Sequence, residues 1–80
     1  MHASGVQNEF TNQQRLLALN VRELRLSRGL SQEAMALEAD IDRTYASQIE
    51  RGIGNPSLKV ICSIAAVLAV HPIRLLSENA

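Results

Sequence analysis

From Gln13 onward the apolar positions of the chain recur at helical spacing. Leu17, Val21 and Leu24 fall on one face, and Gly29, just past Arg28, offers a left-handed stop. Ser31 reads as the N-cap of a second helix, with Glu33 in its first turn and Met35, Ala36 and Ala39 facing inward. That helix stops at Asp40, and Ile41 reads as a buried plug in a tight turn. Asp42 is placed to cap a third helix that runs to Arg51 and closes at Gly52. After the loop GIGNP, Ser57 opens a fourth helix reaching about Ala69. Pro72 then sits at the first position of a brief fifth, which carries Ile73, Leu75 and Leu76. Residues 1–12 are polar without helical periodicity and are expected to form a flexible arm. The pattern thus predicts an all-α chain: arm 1–12, a five-helix domain over 13–77 and a tail over 78–80.

Eighty residues suffice for one small core. An apolar fraction of 46% suits a packed globule. Phe10 and Tyr45 are the only aromatic residues, so the chain has no stacking platform for single-stranded nucleic acid. Formal charge is zero, which requires any anionic partner to be met by a local patch. Seven of the eight cations are Arg, the side chain that favours two-pronged hydrogen bonding. Arg15, Arg22, Arg25 and Arg28 share one segment whose only acid is Glu23. A single cysteine, Cys62, excludes an intrachain disulfide and reads as a small buried apolar side chain. The N-terminus lacks the pattern of a secretion signal, and the longest apolar run, near residues 64–70, is too short to span a bilayer. A cytoplasmic protein without membrane association is expected.

The third predicted helix carries the most informative pattern. Arg43, Thr44, Ser47, Gln48 and Arg51 fall at i, i+1, i+4, i+5 and i+8, one stripe, while Tyr45, Ala46 and Ile49 turn the other way. A merely solvated face would tolerate Glu as readily as Arg. This stripe holds only donors and small hydroxyls, as a surface lying between phosphate rails would require. On the fourth helix Ile61, Ala65 and Leu68 form one apolar stripe, yet Val60 and Val67 lie elsewhere, and Leu76 adds to the surplus. A second copy related by a two-fold axis is the simplest cover. His2 and His71 are far apart with no further ligands beside them, so neither a metal nor another cofactor is expected. His71 is expected to cap or flank the last helix. No nucleophile–base–orienter set or phosphate-cradling glycine loop is present, which argues against an enzyme.

The segment LSQEAMALEADIDRTYASQIERGIGNPSL resembles the Cro/CI-type (XRE-like, lambda-repressor-like) helix-turn-helix family. The markers are LSQE opening helix two, the small Ala36, the ERG close of helix three and NPSL opening helix four. DRTY followed by IERG and NPSL looks most like the controller proteins of restriction–modification systems. The resemblance implies that Arg43, Thr44, Ser47 and Gln48 meet base edges. It further implies phosphate contacts from Gln32, Asn55, Ser57 and Lys59, to which the polar stripe and its flank add Arg51 and the Tyr45 hydroxyl. It also implies a buried ion pair between Arg25 and Glu50. Two positions depart from the family pattern: Asp40 stands where the turn usually has Gly, and Ala46 where a larger aliphatic is common.

These readings converge on a homodimeric, sequence-specific regulator of transcription with helix 43–51 in the major groove of a near-palindromic operator. Its dimer surface would include Val60, Val67 and Leu76. Its partners would be duplex DNA, a second copy and, where it activates, RNA polymerase. A phage or plasmid repressor and an antitoxin-type protein-binding module are the alternative roles.

Overall fold

The computed structural model describes residues 3–78. Its elements are α1 (Ala3–Ser27), α2 (Gln32–Ala39), α3 (Arg43–Glu50), α4 (Leu58–Leu68) and a 3-10 helix (Pro72–Leu76). The described chain is therefore all-helical, but it has four α-helices rather than five. The predicted fifth is a 3-10 turn, which Pro72 starts and His71 caps by accepting a hydrogen bond at Nδ1 from the Ile73 N–H (3.1 Å). The expected arm is also corrected. Residues 3–12 continue α1 toward the N-terminus as regular helix, although they lack an apolar periodicity of their own. Met1 and His2 lie outside the described residues, as do the last two residues of the expected tail.

Helix punctuation follows the sequence closely. Ser31 Oγ accepts from the Ala34 N–H (3.0 Å) and Ser57 Oγ from the Val60 N–H (3.2 Å). Asp42 occupies the N-cap position of α3, but its side chain makes no capping hydrogen bond, contrary to expectation. Helices α1, α2 and α4 end in the same way, on a left-handed residue: Gly29 (φ 71°), Asp40 (φ 59°) and Ala69 (φ 59°). In each case the next residue's N–H reaches back to a carbonyl five positions earlier: Leu30 to Arg25, Ile41 to Ala36, Val70 to Ala65. Those next residues are all apolar and all pack against the core, the hydrophobic contact that accompanies this kind of helix end.

The core is aliphatic. Val21, Met35, Ala46, Ile64 and Leu75 are fully buried at its centre, with Ile49 and Leu68 beside them. Ala46, where a larger aliphatic side chain is the family expectation, is fully buried beneath α3. Asn20, in the middle of the apolar face of α1, is only 2% exposed. Its Nδ2 donates toward three carbonyls at the chain's end, those of Leu75 (2.9 Å), Ser77 (2.8 Å) and Arg74 (3.3 Å). This amide fastens the 3-10 helix to α1. Cys62, expected to be buried, is exposed on α4.

Candidate nucleic-acid interface

The two faces of α3 have opposite tasks. Ala46 and Ile49 are buried and Tyr45 is half-buried against the core, which fixes how the helix is rotated. The remaining stripe must then face outward. Arg43, Thr44, Gln48 and Arg51 are exposed and Ser47 is half-exposed. Together with Gln32 from the start of α2 they line a shallow concavity of about 210 Å³. The structure thus brings together the side chains expected to meet bases, with two of those expected to meet phosphates at the margin. No acid lines the concavity.

A buried ion pair holds this surface at its angle. Arg25 Nε lies 2.6 Å from Glu50 Oε2 and Arg25 Nη2 3.0 Å from Glu50 Oε1, a two-pronged pair joining α1 to the end of α3. Arg25 Nη1 also donates to the Leu30 carbonyl (2.8 Å). Gln32 Nε2 donates to Glu50 Oε1 (3.0 Å), which ties α2 to the same carboxylate. Gln32 is therefore anchored inside the protein by one amide hydrogen and has a second left for an outside acceptor.

The loop after α3 is pressed against that helix. The N–H groups of Ile53 and Gly54 both donate to the Gln48 carbonyl (3.1 Å each). Gly54 is buried so tightly that a Cβ there would lie 3.1 Å from both the backbone nitrogen and Cγ1 of Ile49. Gln14 Nε2 donates to the Gly54 carbonyl (2.7 Å), pinning the loop to α1 as well. Asn55, Ser57 and Lys59 follow in this braced segment and are all exposed. Ser57 Oγ accepts from the Val60 N–H in the α4 cap, which leaves its hydroxyl proton to donate to an outside phosphate oxygen.

The residues expected to form a dimer surface do not stand free. Val60, Val67 and Leu76 are half-buried and pack against the chain's own core. Val60, Ser63 and Val67 nonetheless recur at i, i+3 and i+7, one half-exposed stripe along α4, with Ala66 exposed beside it. Ile73, on the 3-10 helix, is 66% exposed. Among the described residues no group of three or more His, Cys, Asp or Glu is arranged to hold a metal ion, and no helix is long and apolar enough to cross a membrane.

An outward polar helix set beside a second capped helix, both braced by a buried ion pair, defines a helix-turn-helix protein. The helix-turn-helix family model matches residues 21–75, and the chain belongs to that family. It is a DNA-binding regulator of transcription and not an enzyme. Control protein C.BamHI of Bacillus amyloliquefaciens is 50% identical over 69 residues, spanning 84% of this chain and 85% of that protein. The crystal structure of the hypothetical transcription factor NHTF from Neisseria superposes with a TM-score of 0.81 at 39% identity, covering 84% of this chain and 77% of that one. The restriction–modification controller protein C.AhdI from Aeromonas hydrophila gives 0.75 at 39% identity, covering 78% of this chain and 94% of that one.

Proposed function

We propose that this protein acts as a homodimer on a near-palindromic operator and controls a restriction–modification operon. The observation that carries this reading is the acid-free stripe Arg43, Thr44, Ser47 and Gln48, held outward by the burial of Ala46 and Ile49. A helix presented in this way enters a major groove ~12 Å wide and offers its side chains to base edges. Arg43 suits the two acceptors of guanine and Gln48 the donor–acceptor edge of adenine, while Thr44 and Ser47 can serve bases or phosphates. Gln32, Arg51, Asn55, Ser57, Lys59 and the Tyr45 hydroxyl supply phosphate contacts, which set orientation without reading sequence.

The dimer is supported by the half-exposed Val60, Ser63 and Val67 stripe of α4 and by exposed Ile73. To read two half-sites, copies joined there must hold their α3 helices ~34 Å apart, one helical turn of DNA. The role in restriction–modification is supported by similarity to two controller proteins across most of the chain. RNA polymerase enters as a further partner where the operator lies beside a promoter.

Selection from a random duplex library tests the reading as a whole. It should enrich a motif with two inverted half-sites whose centres lie one helical turn apart. No enrichment would refute DNA reading by α3, and a single unpaired half-site would refute the dimer.

A further inference from the structure

Arg51 belongs to two surfaces. It lines the concavity on the recognition face, and it also lines a second groove of about 320 Å³ between α1 and the C-terminal end of α3. Thr11, Arg15 and Leu19 form the α1 wall of this groove, and Glu50, Arg51 and Gly52 form the other. Thr11 and Arg15 take no part in the function proposed above.

The charge of the groove is decided by what Glu50 is doing. Its side chain is 1% exposed, and Arg25 and Gln32 occupy both its oxygens, so its negative charge is already answered from within. Arg15 and Arg51, by contrast, are exposed. Arg15 Nη1 donates a 3.3 Å hydrogen bond to Asn12 Oδ1, a neutral acceptor, and although Glu9 and Glu78 share a neighbouring groove with Arg15, neither forms an ion pair with it among the described residues. Leu19, 53% exposed, gives the groove an apolar floor against which the arginine stems can lie. Arg22, one heptad beyond Arg15, extends the cationic flank of α1. Two guanidinium forks and a hydroxyl around one groove suit a tetrahedral oxyanion.

We propose that this groove seats a phosphate of the DNA backbone, held between Arg15 and Arg51 with the Thr11 hydroxyl as a further donor. The inference rests on the DNA-binding reading of α3 and extends the DNA-facing surface to α1. Because Arg51 is shared, a strand leaving the recognition face at the end of α3 is passed directly to the groove. This favours polymer backbone over a free phosphate ion. The α1 flank thereby forms a second rail, which adds affinity and register but reads no sequence.

The test uses the full chain and the duplex enriched from the random library, with Arg15→Gln, Arg15→Lys and the wild type compared. Arg15 is an exposed helix residue, so both variants should keep the wild-type melting temperature. Two readouts are taken: the slope of log affinity against log salt, and the pattern of phosphates whose ethylation blocks binding. Arg15→Gln should flatten the slope by about 0.9 for each phosphate no longer neutralised. The same variant should become insensitive to ethylation at one phosphate in each half-site, and it should weaken specific and random duplexes alike. Arg15→Lys should restore the slope. Wild-type slope and ethylation pattern in Arg15→Gln would overturn the groove while leaving operator binding intact. A flatter slope with no change at any single phosphate would overturn it too, since charge loss alone would then account for the result. Failure of the wild type to bind any duplex would overturn both the groove and the DNA reading beneath it.

Discussion

Arg25 and Glu50 meet side by side, Nε to Oε2 at 2.6 Å and Nη2 to Oε1 at 3.0 Å, with their side chains 8% and 1% exposed. They are 25 residues apart in sequence, so the pair closes α1 onto the end of α3. Removing either partner would leave the other charged and out of water, a loss of roughly 3–5 kcal/mol. That is a large share of the ~5–15 kcal/mol that holds a small domain together. Arg25→Ala should therefore unfold at much lower urea than the wild type, as followed by circular dichroism. A midpoint unchanged from wild type would mean that the pair is not a brace.

Asn20 makes a prediction of a different kind, because it holds the chain's end rather than its centre. Its amide is the donor for the Leu75 and Ser77 carbonyls at the close of the 3-10 helix. Asn20→Ala should cost about 1–3 kcal/mol, the range for leaving buried polar groups unsatisfied. The loss should be felt first in the 3-10 helix. Trypsin cleavage after Arg74 should accelerate before global unfolding does. If cleavage there keeps its wild-type rate, the amide is not the fastening.

Helix α4 ends on Ala69 and α2 on Asp40, both at φ 59°, where glycine has no steric penalty. The left-handed conformation costs an L-residue roughly 1–2 kcal/mol, partly returned by the lower unfolded-state entropy of a side chain compared with glycine. Ala69→Gly should raise stability by about 0.5–1 kcal/mol. For a domain of this size ~1 kcal/mol moves the melting temperature by about 4–8 °C. Asp40→Gly should do the same by a smaller amount, since Asp tolerates this region better than Ala. A lower melting temperature for Ala69→Gly would contradict the strain argument.

Most of the helix boundaries are legible in the sequence because they rest on local chemistry. Ser31 and Ser57 cap as their positions require, Ile41 plugs its turn, and the alternation of Ala46 and Ile49 with polar neighbours orients α3. What stays hidden depends on distant segments meeting. Asn20 interrupts an apolar face in the sequence, although its place between Leu17 and Leu24 already puts it inside. The helicity of residues 3–12 carries no periodic signal, because those turns continue an established helix and need no new nucleus. Val60 and Val67 are surplus by their position on α4 alone, whereas the fold covers them in part. Arg15 and Thr11 join Arg51 only through the crossing of α1 and α3, which no local pattern encodes.

The α4 stripe gives a test of the proposed dimer that avoids disturbing the core. Val67 packs inward as well as outward, so a charge there would confuse unfolding with dissociation. Ala66 is exposed beside it. Ala66→Glu should place like charges opposite one another across a two-fold interface and shift the protein to monomer on dilution, with its helical signal intact. Light scattering coupled to size exclusion reads the outcome. A variant that stays dimeric at the same concentrations as the wild type would move the interface elsewhere.

Arg43 and Lys59 test the proposed division between base reading and backbone holding. Both are exposed, so neither substitution should affect folding. Arg43 stands at the start of α3, within the acid-free concavity, where the proposed two-pronged grip on guanine would discriminate by ~1–3 kcal/mol. Arg43→Ala should lose that discrimination at one position in each half-site while random duplex is bound almost as before. Lys59 follows the braced loop at the start of α4, outside the concavity and suited to backbone alone. Lys59→Ala should weaken every duplex alike and flatten the salt slope by about one per subunit. Competition binding with operator and scrambled duplexes distinguishes the two behaviours. Equal losses on both duplexes for Arg43→Ala would place Arg43 on the backbone and leave Gln48 as the principal base reader on this helix.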